Sequence, residues 1–255
     1  MQTPLANIFQ PLINVFEAIL RFFHDDIGLG WGLAIIALTL LIRSLLLPLT
    51  LKQLRSMYRM AQFTPEIKRL RDKHGSDPRR LQRETIVLYK ENRINPLGSL
   101  MPALAQLPVF LSVYFMLRTN LRHDICPGTN PPGTPNPHSC GETAASHFLF
   151  IPDLTGRATG AVLVALIVLY VGSQLFSFLL SASPTMDKTQ RMIFLALPFV
   201  FVTFVIRFPA GLLVYWITTN TWTSVQGVIV RKRLGHLRPG GAGRAGGGGR
   251  TWRAE

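Results

Sequence analysis

The sequence predicts an all-α polytopic membrane protein with five transmembrane helices, a cytoplasmic helical hairpin and an N-terminal amphipathic surface helix. Three observations lead there. Only 16% of the 255 residues are charged while 48% are hydrophobic, and mean hydropathy is +0.26; a soluble globular chain carries about 25% charge. Formal net charge is nonetheless +14, so the few charges are mostly basic and are concentrated somewhere. Finally, five long stretches hold almost no charge. A soluble nucleic-acid binder would explain the basic balance but not those stretches, and no sequence-specific nucleic-acid binding is expected.

Residues 1–26 form the first element. Ile8, Leu12, Val15, Phe16, Ile19, Leu20 and Phe23 recur at helical spacing, with Glu17, Arg21 and Asp25 off that stripe. This pattern predicts an amphipathic helix lying on the outer membrane surface. The segment has no basic n-region followed by an apolar core and a small-residue cleavage site. An Arg- and Ser-rich transit peptide is missing too, which points to a bacterial cytoplasmic membrane.

The first span is residues 27–50. Between Asp26 and Lys52 its only charge is Arg43, with Thr39 one turn earlier on the same face. An arginine at the centre of a spanning helix costs about 2.5–3.5 kcal/mol on insertion scales, which marks it as functional. Residues 51–95 follow as a helical hairpin. Met60, Phe63, Ile67 and Leu70 share one face, and Leu81, Thr85 and Leu88 another. In "HGSDP", Gly75 suits a helix end, Asp77 an N-cap and Pro78 a first helical position. Pro65 breaks or kinks the first arm, with Thr64 available as a cap.

The second span is 96–118 and contains Gln106. Residues 119–157 form an extracytoplasmic loop. The third span, 158–181, carries Ser173 and Gln174, and a short cytoplasmic loop covers 182–190. The fourth span, 191–207, is short at 15 uncharged residues between Arg191 and Arg207; arginines that snorkel or a locally thinned bilayer would let it cross. The fifth span, 208–230, carries Tyr215, Trp216, Thr218, Thr219 and Asn220. Residues 231–255 form a Gly- and Arg-rich tail expected to be disordered.

Lysine and arginine fix the orientation. Residues 52–93 hold 12 of the 27 basic residues and 231–255 hold 7, whereas 120–156 hold only Arg122. The two basic segments face the cytoplasm, which puts the N-terminus outside and the C-terminus inside. Cys126 and Cys140 then both lie outside. Three states are open to them: a disulfide, which an oxidising exterior favours; free thiols; and a metal site with His123, His138 and His147, whose spacing matches no recognised ligand pattern. The loop between the cysteines is rich in Pro and Gly and has little packing of its own.

No P-loop, dinucleotide fingerprint, metalloprotease motif or nucleophile elbow occurs. The expected spans contain no His, Asp or Glu, so neither a proton relay nor an intramembrane protease is expected; no enzyme activity, cofactor or metal is expected either. Away from their ends, the spans contain one cation, Arg43, and a set of neutral polar groups. Polar groups in lipid face a bundle interior or a wet cavity. If these converge, they make a hydrated cavity whose only fixed charge is positive.

The assembled residues resemble the YidC/Oxa/Alb membrane protein insertases. "NPLGSLMPALAQLPVFLSVYFMLR" is similar to the second core span of that family, including Asn95, Pro96, Gly98, Pro102, Gln106, Pro108 and Tyr114. "LIRSLLLPL" resembles the context of its groove arginine, "QFTPEIKRLRDKHGSDP" and "LYKENRINP" its cytoplasmic hairpin, and "FPAGLLVYWITTN" its last span. The resemblance implies a hydrophilic groove open to the cytoplasm and to lipid but closed outside. It implies Arg43, Thr39, Gln174, Tyr215 and Trp216 as substrate-binding groove residues, and the polar Gln106 and Asn220 of the spans are expected to join them. It also implies passage of small, acidic-tailed nascent membrane proteins with one or two spans into the phospholipid bilayer. The Sec translocon and the ribosome are candidate partners. The alternative reading is an anion-selective channel or transporter that uses Arg43 as its binding charge. A third is a scaffold whose basic hairpin recruits a partner.

Overall fold

The computed structural model describes residues 4–92, 101–131, 133–134, 136–181 and 188–234. Outside the described residues lie 93–100, with Asn95, Pro96 and Gly98, most of the expected 182–190 loop, and the tail from residue 235. Among the described residues every regular element is a helix, in keeping with the all-α expectation. Pairing between extended segments is limited to two isolated antiparallel bridges, Phe148–Ile151 and Arg157–Pro209.

The chain divides into two compact units, residues 1–50 with 101–227, and residues 51–100 with 228–255. The first begins with α1, Pro4–Arg21, continued by a π-helical turn, Phe22–Asp26. Helix α1 packs along α6 (Met101–Arg118) and α2 (Trp31–Leu45). Three sectors of its surface differ. Ile13, Phe16 and Leu20 are buried, and Leu12, Ile19 and Phe23 pack beside them. Asn7, Gln10, Asn14, Glu17 and Arg21 form a polar strip. Ile8, Pro11, Val15, Ala18 and Phe22 form an exposed apolar strip, with Ile8 70% and Val15 52% exposed. The single stripe expected from periodicity is therefore split: part of it meets protein and part is open.

Helix α2 breaks at Leu46, before α3 (Leu47–Gln62). Pro48 explains the break, because it has no N–H to extend the α2 ladder and is well placed in a first turn. By length and composition, one described helix suffices to cross a bilayer alone: α8, Gly160–Ser181. Helix α2 with the start of α3 qualifies as a second if the pair is one broken span. Helix α9, Lys188–Val205, packs on α8 and is apolar on nearly every side, with Phe199, Val200 and Phe204 all more than half exposed. Helix α10, Ala210–Leu234, completes this unit through residue 227.

The loop between α6 and α8 begins with α7, Asn120–Ile125, and is more highly built than its Pro- and Gly-rich sequence suggested. Cys126 and Cys140 are joined as a disulfide, Cα atoms 5.7 Å apart. Asn130, fully buried, donates to the His138 carbonyl (2.9 Å) and accepts from the His138 N–H (2.8 Å), so it bridges the looped chain. Arg122 donates to the carbonyls of Thr155 (2.8 Å) and Pro137 (2.6 Å). Burial lowers the pKa of the Arg122 guanidinium, with the charge of Arg118 adding to the effect. Asn120 donates to Glu17, and Arg21 pairs with the nearly buried Asp124, which raises the arginine's pKa. The polar strip of α1 is thereby fastened to the loop.

In the second unit, α4 (Thr64–His74) and α5 (Pro78–Glu91) pack as a hairpin. Asp77 caps α5, accepting from the N–H groups of Arg79 and Arg80 at 3.1 Å each, and Pro78 occupies the first turn. Thr64 is not a cap: the cap position of α4 falls on Phe63, and Thr64 is the first helical residue with Pro65 after it. Ile67, Leu70, Leu81, Thr85 and Leu88 are half-buried between the arms, and neither helix contains a fully buried residue. Met60 of the expected stripe is among the side chains outside the described set.

Candidate functional site

The site lies in the first unit. Helices α2, α6, α8 and α10 share a core of Ile35, Leu38, Val113, Leu117, Leu166, Leu212 and Leu213. The end of this core beside the α6–α8 loop is sealed by backbone. The N–H groups of Ala210 and Gly211 donate to the carbonyls of Gly156 and Leu154, both at 2.8 Å, and Leu154 is fully buried. Gly211 permits this close approach, since a Cβ would stand 3.0 Å from the Leu154 carbonyl oxygen.

Beyond that seal the lining turns polar. Arg43 sits half-buried in the last turn of α2. No carboxylate pairs with it among the described residues, where both ion pairs belong to Arg21. Tyr215, which interacts with it electrostatically, is 2% exposed and accepts a 2.9 Å hydrogen bond from Gln106 Nε2. A hydrogen bond thus joins α6 to α10, and Arg43 of α2 lies within electrostatic range of it.

Trp216, next along α10, stacks on Phe110 with ring centroids 5.3 Å apart and planes 11° apart, and touches Tyr170 and Phe208. Asn220 is buried and donates to Ser173 Oγ at 3.2 Å, joining α10 to α8. Thr39 is buried, but its hydroxyl donates to the Ile35 carbonyl at 2.7 Å, so it is satisfied within its own helix and does not bond Arg43. Gln174 is half-buried and has no hydrogen-bond partner among the described residues; its neighbour Ser173 makes the cross-helix bond instead.

Further polar groups were not singled out from sequence. Ser112, Ser177, Ser224 and Gln226 are buried. The Ser112 hydroxyl, the Trp222 indole N–H and the Gln226 amide nitrogen are buried without a partner among the described residues. A buried unsatisfied polar group costs about 1–3 kcal/mol, so each calls for water or a ligand group. Tyr215, Thr219, Trp222 and Gln226 follow at spacings of four, three and four on one face of α10. That spacing was the available signal, but neutral side chains in an uncharged run gave it little weight. The cluster offers one cation with neutral donors and acceptors, a set suited to holding water and drawing negative charge.

Comparison with known proteins shows the family and the fold. The family described as "60Kd inner membrane protein" matches residues 22–236. A membrane protein insertase YidC from Actinobacillus pleuropneumoniae serotype 3 is 34% identical over 215 residues, covering 83% of this chain and 35% of the relative. A protein of the same name from Hahella chejuensis is 34% identical over 228 residues, covering 89% and 35%. The chain therefore spans about a third of the length of these curated relatives. Among solved structures, an active YidC insertase with its first transmembrane domain resolved superposes with a TM-score of 0.61 at 21% identity. That match covers 90% of this chain and 47% of the other, and it shows the fold.

Proposed function

The chain belongs to the 60Kd inner membrane protein family, and from that premise we propose that it is a membrane protein insertase. In this reading it passes nascent membrane proteins from the cytoplasm into the bilayer through a hydrophilic, positively charged, laterally open groove. The observation that carries this is Arg43, half-buried with no carboxylate partner among the described residues and in electrostatic range of the Gln106–Tyr215 hydrogen bond. A merely structural arginine at such a place would be paired, because an isolated buried charge is costly.

The proposed architecture has five spans, at 27–50, 96–118, 158–181, 191–207 and 208–230, N-terminus out and C-terminus in, in a bacterial cytoplasmic membrane. The 51–95 hairpin and the tail face the cytoplasm. Helix α1 lies on the outer surface, where its three sectors would meet protein, lipid and water. The proposed groove residues are Arg43, Thr39, Gln106, Gln174, Tyr215, Trp216 and Asn220; Thr39 would act by packing rather than by bonding Arg43.

The mechanism follows from solvation. A substrate's polar flank must cross about 30 Å of hydrocarbon, in which each unsolvated polar group costs several kcal/mol. Water held partway into the bilayer shortens that dry path. Arg43 attracts an acidic tail, while lipid takes the apolar segment and supplies the driving force. Binding stays weak enough for release. The substrates are small, acidic-tailed proteins with one or two spans, and the Sec translocon and ribosome are partners to be tested.

Purified protein in liposomes should insert a short-tailed single-span substrate and protect its translocated tail from added protease. Insertion equal to protein-free liposomes would refute the reading. Steady anion conductance without insertion would favour the channel reading, which the lone cation also suits.

A further inference from the structure

The loop closing the outer end of the bundle carries one feature that sealing does not require. Phe148 and Ile151 exchange both backbone hydrogen bonds at 2.8 Å, so Leu149 and Phe150 form a two-residue turn. Leu149 has φ +54°, the one described non-glycine residue at positive φ. The first central position of such a turn is a glycine position by preference. Here it holds a leucine that is 70% exposed, followed by a phenylalanine that is 45% exposed. A leucine held in left-handed backbone and pointed into the open contributes nothing to the fold that glycine would not give more cheaply.

The base of the turn is firmly fixed. The Phe148 ring lies against Gly32, where a Cβ would stand 2.1 Å from the ring, so the loop clamps onto the first turn of α2. Ile151 is buried. No Asp, Glu, Lys or Arg occurs from 143 to 152, where His147 is the one titratable side chain, and the next carboxylate, Asp153, turns inward to accept from Gly141 N–H, Thr155 N–H and the Thr155 hydroxyl. The same end of α2 carries other uncovered apolar side chains: Ile27 is 51% and Leu33 48% exposed.

We infer that Leu149 and Phe150 are a membrane anchor, dipping into the outer leaflet at the boundary of headgroups and acyl chains and holding the outer end of the bundle at a set depth. The partner is the lipid surface itself. An aromatic and an aliphatic side chain without nearby charge suit that boundary, where amphipathic segments bury their apolar face about 5–10 Å deep. The inference rests on the proposed orientation, with the α6–α8 loop outside and α8 across the bilayer.

The test uses the full chain in liposomes with two tryptophan probes read as differences from the parent, which has four tryptophans of its own. Phe150→Trp reports the tip; Val168→Trp, at a 64% exposed position near the middle of α8, reports the span. The expected result is a blue-shifted Phe150→Trp emission that loses most of its intensity to lipids brominated high on the acyl chain and little to aqueous iodide. Val168→Trp should be quenched by lipids brominated deep in the chain. Quenching of the Phe150→Trp probe by iodide alone, or by neither agent, overturns the anchor; the second pattern would indicate a protein partner. Failure of Val168→Trp to be quenched by deep bromolipid overturns the spanning reading and the anchor with it. Leu149→Gly separates anchoring from folding, because it relieves the backbone: melting temperature should hold or rise while bromolipid quenching of the Phe150→Trp probe falls. Unchanged quenching in that background overturns the pair as the anchor.

Discussion

Replacing Arg43 by alanine should slow insertion of acidic-tailed substrates selectively. Arg43 is half-buried, and no described carboxylate cancels it. A substrate carboxylate about 8 Å away, at an effective dielectric constant of about 20, gains about 2 kcal/mol from the guanidinium. At about 1.4 kcal/mol per decade, that is about 30-fold in the occupancy of the groove by an acidic tail. The assay is insertion into liposomes containing purified protein, scored by protease protection of the tail, for substrates that differ only in carrying zero, one or two acidic residues. Arg43→Ala should cost about 30-fold for a single-acid tail and little for a neutral one. Arg43→Lys, which keeps the charge, should stay within about threefold of the parent, and raising salt should shrink all these differences. Equal loss for neutral and acidic tails would refute the electrostatic role, as would an alanine variant as active as the parent on acidic tails.

Tyr215→Phe removes the acceptor of the 2.9 Å bond from Gln106 and leaves that amide short of a partner. It should destabilise the protein by about 1 kcal/mol in thermal or denaturant unfolding, and adding Gln106→Leu should recover most of that loss. Reducing the Cys126–Cys140 disulfide, which joins residues 14 apart, should cost about 3 kcal/mol, seen as a lower unfolding midpoint with reductant that Cys126→Ser reproduces. Asp77→Ala should free the amides of Arg79 and Arg80, speeding their hydrogen exchange and costing the hairpin about 1 kcal/mol.

Much of this organisation was legible in the sequence where one residue type has one physical meaning. Arg43 stands out because a lone charge in an apolar run is expensive, and Asp77–Pro78 because a cap followed by proline starts a helix. Other features depend on what periodicity does not distinguish. The α1 stripe mixed residues that meet protein, such as Phe16 and Leu20, with residues left open, such as Ile8 and Val15, because lipid tails are as apolar as leucine. Thr39 does share a face with Arg43, but a threonine hydroxyl can bond the carbonyl four residues back, and here it does. Ser173 rather than Gln174 reaches Asn220, a shift of one residue that rotates a side chain by about 100° around the helix. The loop read as loose because its stabilising bonds, from Asn130 to His138 and from Arg122 to Thr155, connect residues distant in sequence.

The central claim is that substrate passes along Arg43, Gln106 and Trp216. Photo-crosslinking amino acids at these three positions, activated during synthesis of a short-tailed membrane protein in the presence of this chain, test it most directly. The account predicts crosslinks to the nascent chain from all three, and none from an outward-facing control at Val164, which is 61% exposed on α8. Crosslinks from Val164 alone, or from none of the groove positions while insertion proceeds, would contradict it.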